Sequence, residues 1–431
     1  MGSNATQCQI TSPTPLLQLQ KGLFLRPIIL TFTHYYLPGN LAGGPIQSIA
    51  NMVELLSDEF EFHIITSDRD YGASESYKGV KLDQWNRVGK AQVFYASDIT
   101  LTLGRLAKLI RETPHDVIYL NSFFDPIFTI RPLLARRLGM ITKKPLIIAP
   151  RGEFSKGAFA LKFWKKVSYL NLSKGLGLYQ NVFFHASTIL EIIDIERGFI
   201  SKQRYIKVKS ASIETNSIAP QKSNPILIAP NLIPLSQPLS QPLSQSATKS
   251  FQLCFLSRIC PMKNLDYALR VLADVKIPVA FSLYGPQEDQ AYWSKCQLLI
   301  AKLPDYIQVF YKGSIDHSQV VETLAQHDLF FLPTLGENFG HVIHEALRAG
   351  VPVLLSDQTP WLDLEQKGVG WSLPLNNPSG FVHAIEEVAS WSAETRQSVS
   401  QKVLAYADEI GNNTQAIEQN LVLFRRALSA D

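Results

Sequence analysis

The chain has 431 residues, a formal net charge of +4, 46% hydrophobic residues and 18% charged residues. At about 100–200 residues per domain, this length predicts two or three globular domains. The four cysteines form no C-x-x-C pair, which argues against a disulfide framework and against a thiolate zinc site. No apolar run reaches the ~18–20 residues of a membrane-spanning helix, and residues 1–20 carry no charge, unlike the basic start of a secretory signal. We therefore expect a cytoplasmic multidomain protein.

The small net charge conceals a division of charge along the chain. Residues 1–250 contain 28 Lys and Arg against 17 Asp and Glu, an excess of +11, whereas residues 251–431 contain 13 against 20, an excess of −7. Between Arg131 and Lys174, eleven basic residues accompany a single acid, Glu153. Such asymmetry indicates that the basic half faces an anionic partner.

Two low-complexity segments divide the chain. Residues 1–22 are polar and rich in Ser, Thr, Pro and Gln, a composition typical of disorder. Pro-Leu-Ser-Gln occurs three times in succession across 234–245, and its prolines exclude a regular helix or a central strand. The predicted units are a disordered segment 1–22, a first domain 23–231, a linker 232–250, a second domain 251–412, and a C-terminal helix 413–431 that packs back on the first domain.

Short apolar runs rich in β-branched and aromatic residues alternate with helical patterns on both sides of the linker. The predicted strands are 26–33, 60–66, 92–95, 116–120, 145–149, 181–185 and 226–229, then 251–256, 278–284, 307–311, 328–332 and 351–355. The predicted helices of the second domain are 265–275, 291–303, 317–327 and 341–349. Near-continuous apolar strands between helices indicate parallel sheets covered on both faces. The predicted fold class is therefore α/β, with two Rossmann-like domains facing across a cleft and ligands at the carboxyl ends of the strands.

The stretch 334–350 carries the most chemical information. A strand ends before Pro333, glycines form a turn, and a helix follows until Gly350 stops it. The start of such a helix presents free N–H groups and the positive end of the helix dipole, which suit a phosphate. Glu337 precedes the helix and Glu345 lies within it, eight residues further on.

A second group of candidate residues lies directly after the first strand of the second domain. Arg258 and Lys263 are five residues apart on a strand-to-helix turn. Two cations at this spacing can converge on one diphosphate, the arginine with its planar fork and the lysine as a point charge.

The sequence GENFGHVIHEALRAGVPVLLSD closely resembles the signature of retaining GT-B glycosyltransferases of glycosyltransferase family 4, the glycosyl transferases group 1. The resemblance extends over residues 26–410 and implies an acceptor-side first domain and a nucleotide-sugar-binding second domain. By resemblance, Glu337 contacts the donor sugar, Glu345 holds the ribose hydroxyls, and Arg258 and Lys263 neutralise the departing diphosphate. The same resemblance implies donor contacts from the turn and helix start at Asn338, Phe339, Gly340, His341 and Val342.

The resemblance also extends to loops that follow strands elsewhere in the chain. Gly43 and Gly44, after the first strand, resemble a loop beside the donor phosphates, and glycines allow close backbone approach to a ligand. Gly285 in Tyr-Gly-Pro resembles a loop that shapes the donor pocket. Arg151 stands where many relatives have His. It is therefore a candidate contact for an acceptor or a phosphate, and the role of the relatives' histidine is not transferred to it. His185 is interpreted as an organiser of the core of the first domain.

The function that this resemblance implies is transfer of a sugar from a nucleotide diphosphate sugar, UDP- or GDP-linked, to a glycan or lipid-linked acceptor. Retention of the anomeric configuration is expected, in the synthesis of cell-surface polysaccharide or lipopolysaccharide. No cofactor is expected, and because the chain has no D-x-D sequence, a metal is not expected to be required. Two carboxylates also serve glycoside hydrolysis, but Arg258 and Lys263 would then have no purpose. A nucleotide-sugar epimerase of the same fold is the alternative enzyme.

Aromatic and basic residues are mixed in residues 154–170, which suggests a non-catalytic alternative. Such a mixture suits a helix that lies on an anionic membrane surface. The candidate membrane contacts are Lys162, Phe163, Trp164, Lys165 and Lys166. A basic membrane-binding protein without catalysis is one hypothesis. The combination of the two is preferred: a cytoplasmic enzyme, peripheral on the inner face of the cytoplasmic membrane, that meets a lipid-linked acceptor there. No nucleic-acid motif accompanies the basic residues, so nucleic acid is not expected as a partner.

Overall fold

A computed structural model describes residues 26–41, 43–200, 224–233, 250–412 and 414–430. The polar segment 1–22 and the Pro-Leu-Ser-Gln repeat at 234–245 lie outside these residues. Across the described ranges, no helix combines the length and the apolar character needed to cross a membrane.

The first domain is built on an eight-stranded sheet in the order β3-β4-β2-β1-β5-β6-β7-β8. All neighbouring strands are parallel except β3 and β4, which are antiparallel. The strands are β1 (Ile28–Phe32), β2 (Glu61–Ser67), β3 (Trp85–Val88), β4 (Ala91–Ala96), β5 (Val117–Asn121), β6 (Leu146–Ala149), β7 (Phe183–Ala186) and β8 (Ile226–Ile228). The helices are α1 (Gly44–Leu56), α2 (Leu103–Glu112), α3 (Arg131–Arg137), α4 (Lys156–Ala160), α5 (Phe163–Gly175) and α6 (Ile189–Ile195), with π-helical turns at Pro126–Ile130 and Glu196–Ile200.

The second domain has a six-stranded sheet, parallel throughout, in the order β11-β10-β9-β12-β13-β14. The strands are β9 (Phe251–Leu256), β10 (Val279–Tyr284), β11 (Ile307–Gly313), β12 (Leu329–Leu332), β13 (Val353–Ser356) and β14 (Gly370–Leu373). The helices are α7 (Leu265–Leu272), α8 (Gln290–Ile300), α9 (Val320–Leu324), α10 (His341–Arg348), α11 (Leu364–Lys367), α12 (Pro378–Ser390) and α13 (Ala393–Gly411), and α14 (Thr414–Leu428) follows this domain in the chain. The α/β architecture predicted from the sequence, with two domains of parallel sheet, is confirmed.

The structure differs from the predicted elements at three places. Strands β3 and β14 were not predicted, because both lie at a sheet edge and neither contains a continuous apolar run. The predicted helix 317–327 is instead a 3₁₀ turn at His317–Gln319 followed by the short helix α9.

Helix α14 follows the second domain in the chain but packs against the first. Phe424 is fully buried and makes edge-on ring contacts with Phe60, Phe62 and Tyr119, at centroid distances of 5.3, 6.1 and 5.4 Å. The Asn420 side chain donates a hydrogen bond of 2.8 Å to the carbonyl of Pro230. The chain therefore crosses between the domains a second time, and α14 completes the core of the first domain.

We predict that Phe424→Ala lowers the free energy of unfolding by about 3–5 kcal/mol, because it removes a ring from a closed core. The matched control is Arg425→Ala on the same helix, whose half-exposed ion pair with Glu59 is worth about 0–1 kcal/mol. Urea denaturation of both variants checks this. Equal losses in the two variants would contradict the packing of α14 on the first domain.

Candidate active site

A cavity of about 1000 Å³ opens between the two domains. It is lined from the first domain by Gly44, Arg151 and the loop that follows β6, and from the second by the loops that follow β9, β10 and β12. A smaller cavity of about 210 Å³ adjoins it and shares Arg258, Lys263, Glu337 and His341 with it. Because the carboxyl ends of parallel strands meet at one edge of each sheet, both domains direct their functional loops into this cleft.

The start of α10 presents backbone donors to the cleft. Gly340 has a left-handed backbone (φ 79°), and a Cβ there would lie 2.6 Å from Ile343 Cδ1 and 2.9 Å from Glu337 Cγ, so glycine is required. The indole Nε1 of Trp361 donates to the carbonyl of Phe339 at 2.5 Å and fixes the turn. In the described part of the chain, no acceptor receives the N–H groups of Phe339, Gly340, His341 and Val342. These groups are therefore available to an anionic ligand.

Two cations of the second domain lie beside this helix start, and each is paired with a carboxylate. Lys263 Nζ forms a close ion pair with Glu337 Oε2. Arg258 Nη1 lies 2.8 Å from Oε2 of Glu288, a residue of the loop after β10. The turn that carries both cations ends at Asn264, which has a left-handed backbone (φ 60°) and donates to the carbonyl of Pro333 at 2.9 Å.

Glu345 lies on α10 with only 13% of its side chain exposed. Burial raises the pKa of its carboxyl group to about 7. His317 Nδ1 is 3.4 Å from Glu345 Oε1, and burial lowers the pKa of this histidine. Both groups thus shift towards their neutral forms, so the contact between them is not a strong ion pair at neutral pH.

His341 connects α10 to α1 across the cleft. Its Nε2 lies 2.9 Å from Ser48 Oγ, and Ser48 in turn donates to the carbonyl of Gly44 at 3.0 Å. Burial lowers the pKa of His341 to about 3, so the ring is neutral and donates to the serine oxygen. Gly44 lies against this ring, since a Cβ there would be 3.7 Å from His341 Cδ2. Gly43, at the N-cap of α1, has a left-handed backbone (φ 67°) and lines the smaller cavity.

Arg151 is held in the larger cavity by neutral partners. Its guanidinium donates to Asn121 Oδ1, to Asn231 Oδ1 at 2.6 Å and to the Tyr119 hydroxyl at 2.8 Å. Tyr119 donates to His185 Nδ1, and His185 Nε2 donates to the carbonyl of Ala229, so the buried His185 has the core role predicted for it. No carboxylate of the described residues forms an ion pair with Arg151. The guanidinium of Arg151 is thus held in one orientation by neutral groups and is available to bind an anion.

Two further residues predicted to contact the donor, Asn338 and Gly285, connect parts of the cleft. Asn338 Oδ1 accepts a hydrogen bond of 2.9 Å from Ser187 Oγ of the first domain, so it joins the two sides of the cleft. Gly285 has φ 125°, and a Cβ there would lie 2.1 Å from the carbonyl oxygen of Ser257. This glycine therefore permits the loops after β9 and β10 to touch, in addition to lining the smaller cavity.

Four of the five candidate membrane residues are exposed at the start of α5. Trp164 and Phe163 are 78% and 42% exposed, and Lys162 and Lys165 are exposed as well. Lys166 is not: its Nζ donates to the carbonyl of Ala158 at 2.7 Å and lies over the rings of Phe124 and Phe159. The side chain of Lys166 is therefore half-buried, and its role as a membrane contact stays a prediction.

Three further residues line the cleft and were not predicted from the sequence: Ser48, Tyr71 and Glu288. Glu288 follows Tyr-Gly-Pro at the end of a predicted strand, a position that could have identified it. Ser48 and Tyr71 carry no local signal. Among the described residues, no group of three or more His, Cys, Asp or Glu side chains is placed to hold a metal ion.

Comparisons with known proteins agree with this geometry. Residues 238–403 match the family model described as glycosyl transferases group 1. Sucrose-phosphate synthase from Thermosynechococcus elongatus superposes with a TM-score of 0.69 over 94% of this chain and 100% of its own, at 14% identity. The chain has the GT-B fold. Anabaena HepE in complex with UDP-glucose gives a TM-score of 0.61 over 93% of this chain and 99% of its own, at 14% identity.

A relative in sequence comes from Klebsiella pneumoniae. It is described as an uncharacterized 41.2 kDa protein in the cps region, and it is 24% identical over 317 residues, which are 73% of this chain and 78% of the relative.

We predict that Glu345→Gln makes the protein more stable than wild type at pH 8, by about 3 kcal/mol. The folded-state pKa of about 7 lies above the ordinary glutamate value of 4.5, so the folded wild type binds more protons than the unfolded chain between these values. Its free energy of unfolding therefore falls as pH rises from 4.5 to 7, and the amide avoids this loss. Denaturation at pH 4 and pH 8 checks the effect, with the exposed Glu365→Gln as control. A variant no more stable than wild type at pH 8 would contradict the raised pKa of the buried Glu345.

Proposed function

We propose that this protein is a retaining glycosyltransferase that moves a hexose from a nucleotide diphosphate sugar to a glycan or lipid-linked acceptor. The observation that carries the proposal is the convergence of Arg258, Lys263 and the unpaired N–H groups at the start of α10 on one cleft. A diphosphate is a ligand that such a set of cations and backbone donors suits. The family match of residues 238–403 supports the same reading.

The chemistry required of the cleft is electrostatic. The bond between the anomeric carbon and the diphosphate oxygen breaks, and negative charge accumulates on the leaving phosphate. The amides at 339–342 are held in place by the backbone before the reaction, and Arg258 and Lys263 lie beside them, so these groups can stabilise the developing charge. The acceptor hydroxyl bonds to the anomeric carbon on the same face, and its proton passes to the departing phosphate oxygen. No nucleophile from the protein is needed in this scheme.

Each remaining site residue has a role in the proposal. Glu337, paired with Lys263, lies where the donor sugar would meet the diphosphate. Glu345, buried in the smaller cavity, would accept hydrogen bonds from the ribose hydroxyls. Arg151 would hold an anionic group of the acceptor or of the donor. The protein would need neither a cofactor nor a metal for this reaction.

Two relatives bear on the donor and on the product. The HepE structure is a complex with UDP-glucose, which supports a UDP-sugar donor, and a GDP-sugar is the second donor to be tested. The Klebsiella relative is described by its cps region, which supports a role in cell-surface polysaccharide synthesis. An epimerase of the same fold is the competing enzyme, and it would form product from the nucleotide sugar without an acceptor.

We predict that Arg258→Ala and Lys263→Ala each lower kcat about 10²–10³-fold, because each removes a cation fixed against the developing charge. The matched control is Arg270→Ala, since Arg270 pairs with Asp266 on α7 and does not line either cavity. Nucleotide release from UDP-, GDP- and ADP-sugars, with glycan and lipid acceptors, measures the effect. Full turnover of both cleft variants would refute the assignment of the site.

The membrane part of the proposal rests on the start of α5. Trp164 and Phe163 are exposed beside Lys162 and Lys165, and Leu161 and Lys162 also line the larger cavity. Exposed aromatic rings and lysines together suit the interface of an anionic membrane. We infer that this surface docks the enzyme on the inner face of the cytoplasmic membrane, where a lipid-linked acceptor would enter the cleft from the membrane side.

We predict that Lys162→Glu/Lys165→Glu and Trp164→Ser each reduce flotation with vesicles containing phosphatidylserine by at least about fivefold. Each basic residue near such a surface contributes about 1 kcal/mol to binding. The tryptophan ring contributes by burying apolar surface in the interface. Lys166 is left unchanged because its ammonium group is packed internally. Lys276→Glu/Lys302→Glu in the second domain makes the same change of charge on exposed residues and serves as the control. Equal flotation of all variants would exclude this docking surface.

A further inference from the structure

Glu288 is an acidic residue in a cavity that is proposed to bind an anionic diphosphate. Its carboxylate lines the larger cavity, with 24% of the side chain exposed, and its Oε2 is 2.8 Å from Arg258 Nη1. The other cation of the site, Lys263, is paired with Glu337. In this structure, therefore, the two positive charges proposed to hold a diphosphate are both already compensated.

The backbone holds Glu288 beside Arg258. Ile259, the residue after Arg258, donates to the carbonyl of Pro286 at 2.8 Å and accepts from the N–H of Asp289 at 3.3 Å. Asp289 also caps α8, since its carboxylate accepts from the N–H of Tyr292 at 2.9 Å. The loops after β9 and β10 are thus joined on both sides of Glu288. The backbone therefore keeps Glu288 next to Arg258, and the carboxylate and the guanidinium can separate only by changes of side-chain rotamer.

The contact itself is exchangeable. Although Oε2 is close to the guanidinium, no donor of the described residues is aligned with this buried oxygen to form a hydrogen bond. A buried carboxylate oxygen without a directed donor is poorly stabilised, so the pair gains less than a bidentate arginine contact would. A diphosphate can offer Arg258 the directed acceptors that Glu288 lacks.

The first domain also contacts this pair. Tyr71 lines the same cavity, and its pKa is raised to about 12, first by burial and then by the Glu288 carboxylate. The Tyr71 hydroxyl is thus a second neighbour of the carboxylate and comes from the opposite side of the cleft.

We propose that Glu288 is an internal competitor of the donor diphosphate for Arg258, so that it weakens nucleotide binding and speeds the departure of the nucleotide product. This inference rests on the proposed function and adds a residue that sets its donor affinity. Binding would exchange one anionic partner of Arg258 for another, and Glu288 would return to Arg258 when the nucleoside diphosphate leaves. Removing the competing charge should therefore tighten nucleotide binding, although the residue lines the site.

Calorimetric titration of UDP and of GDP into the full-length protein tests the proposal. We expect Glu288→Gln to bind the better of the two nucleotides about tenfold more tightly than wild type, as removal of a charged competitor worth about 1.4 kcal/mol would give. Glu322→Gln, which removes the same charge from an exposed position on α9, should stay within about twofold of wild type. Equal or weaker binding by Glu288→Gln would overturn the proposal, because the carboxylate would then orient Arg258 or bind the ligand.

A double-mutant comparison separates competition from a general effect of charge. In the Arg258→Ala background, Glu288→Gln should give no gain in affinity, since there is no guanidinium left to compete for. A tenfold gain that persists without Arg258 would contradict the mechanism. If neither wild type nor Glu288→Gln binds UDP, GDP or ADP, the proposed function itself fails, which is distinguishable from a wild type that binds as well as the variant.

Discussion

The hydrogen bond between His341 and Ser48 is the contact on which the cleft depends. It joins the first residue of α10 to α1, so the N-terminal ends of two helices from different domains meet over the same space. The Gly44 backbone lies beside this ring, and burial keeps the histidine neutral, so no charge of its own repels Arg151 or Lys263. The positive ends of both helix dipoles are then directed towards one anion site. Asn338 and Ser187 add a second contact across the cleft.

The three cations of this cleft differ in their partners. Arg258 and Lys263 are paired with carboxylates, whereas Arg151 is held by two asparagines and a tyrosine and keeps its full charge. Paired cations can exchange partners during a reaction cycle, while a cation oriented by neutral groups attracts an anion permanently. The net charge of +4 is thus the sum of a basic first half and an acidic second half that gathers its cations locally.

The elements that could be predicted from sequence are those whose signal is local. Buried parallel strands such as β9 and β10 are continuous apolar runs, and the turn into α10 carries glycines at fixed offsets, so the fold and the positions of Glu337 and Glu345 follow from short stretches. The pairing of Arg258 with Glu288, the hydrogen bond from His341 to Ser48 and the packing of Lys166 depend on where distant segments meet. Edge strand β3 lacked a signal because it is half-exposed, so its sequence shows neither an apolar run nor a clean alternation.

The central claim is that a nucleoside diphosphate lies between the start of α10 and the pair Arg258 and Lys263. A crystal structure of the protein with whichever of UDP, GDP and ADP binds most tightly tests it directly. The account predicts diphosphate oxygens within hydrogen-bonding distance of the Arg258 guanidinium and of the amides at 339–342, with the ribose against Glu345. A nucleotide bound away from α10, or a cleft left empty at saturating nucleotide, would contradict it.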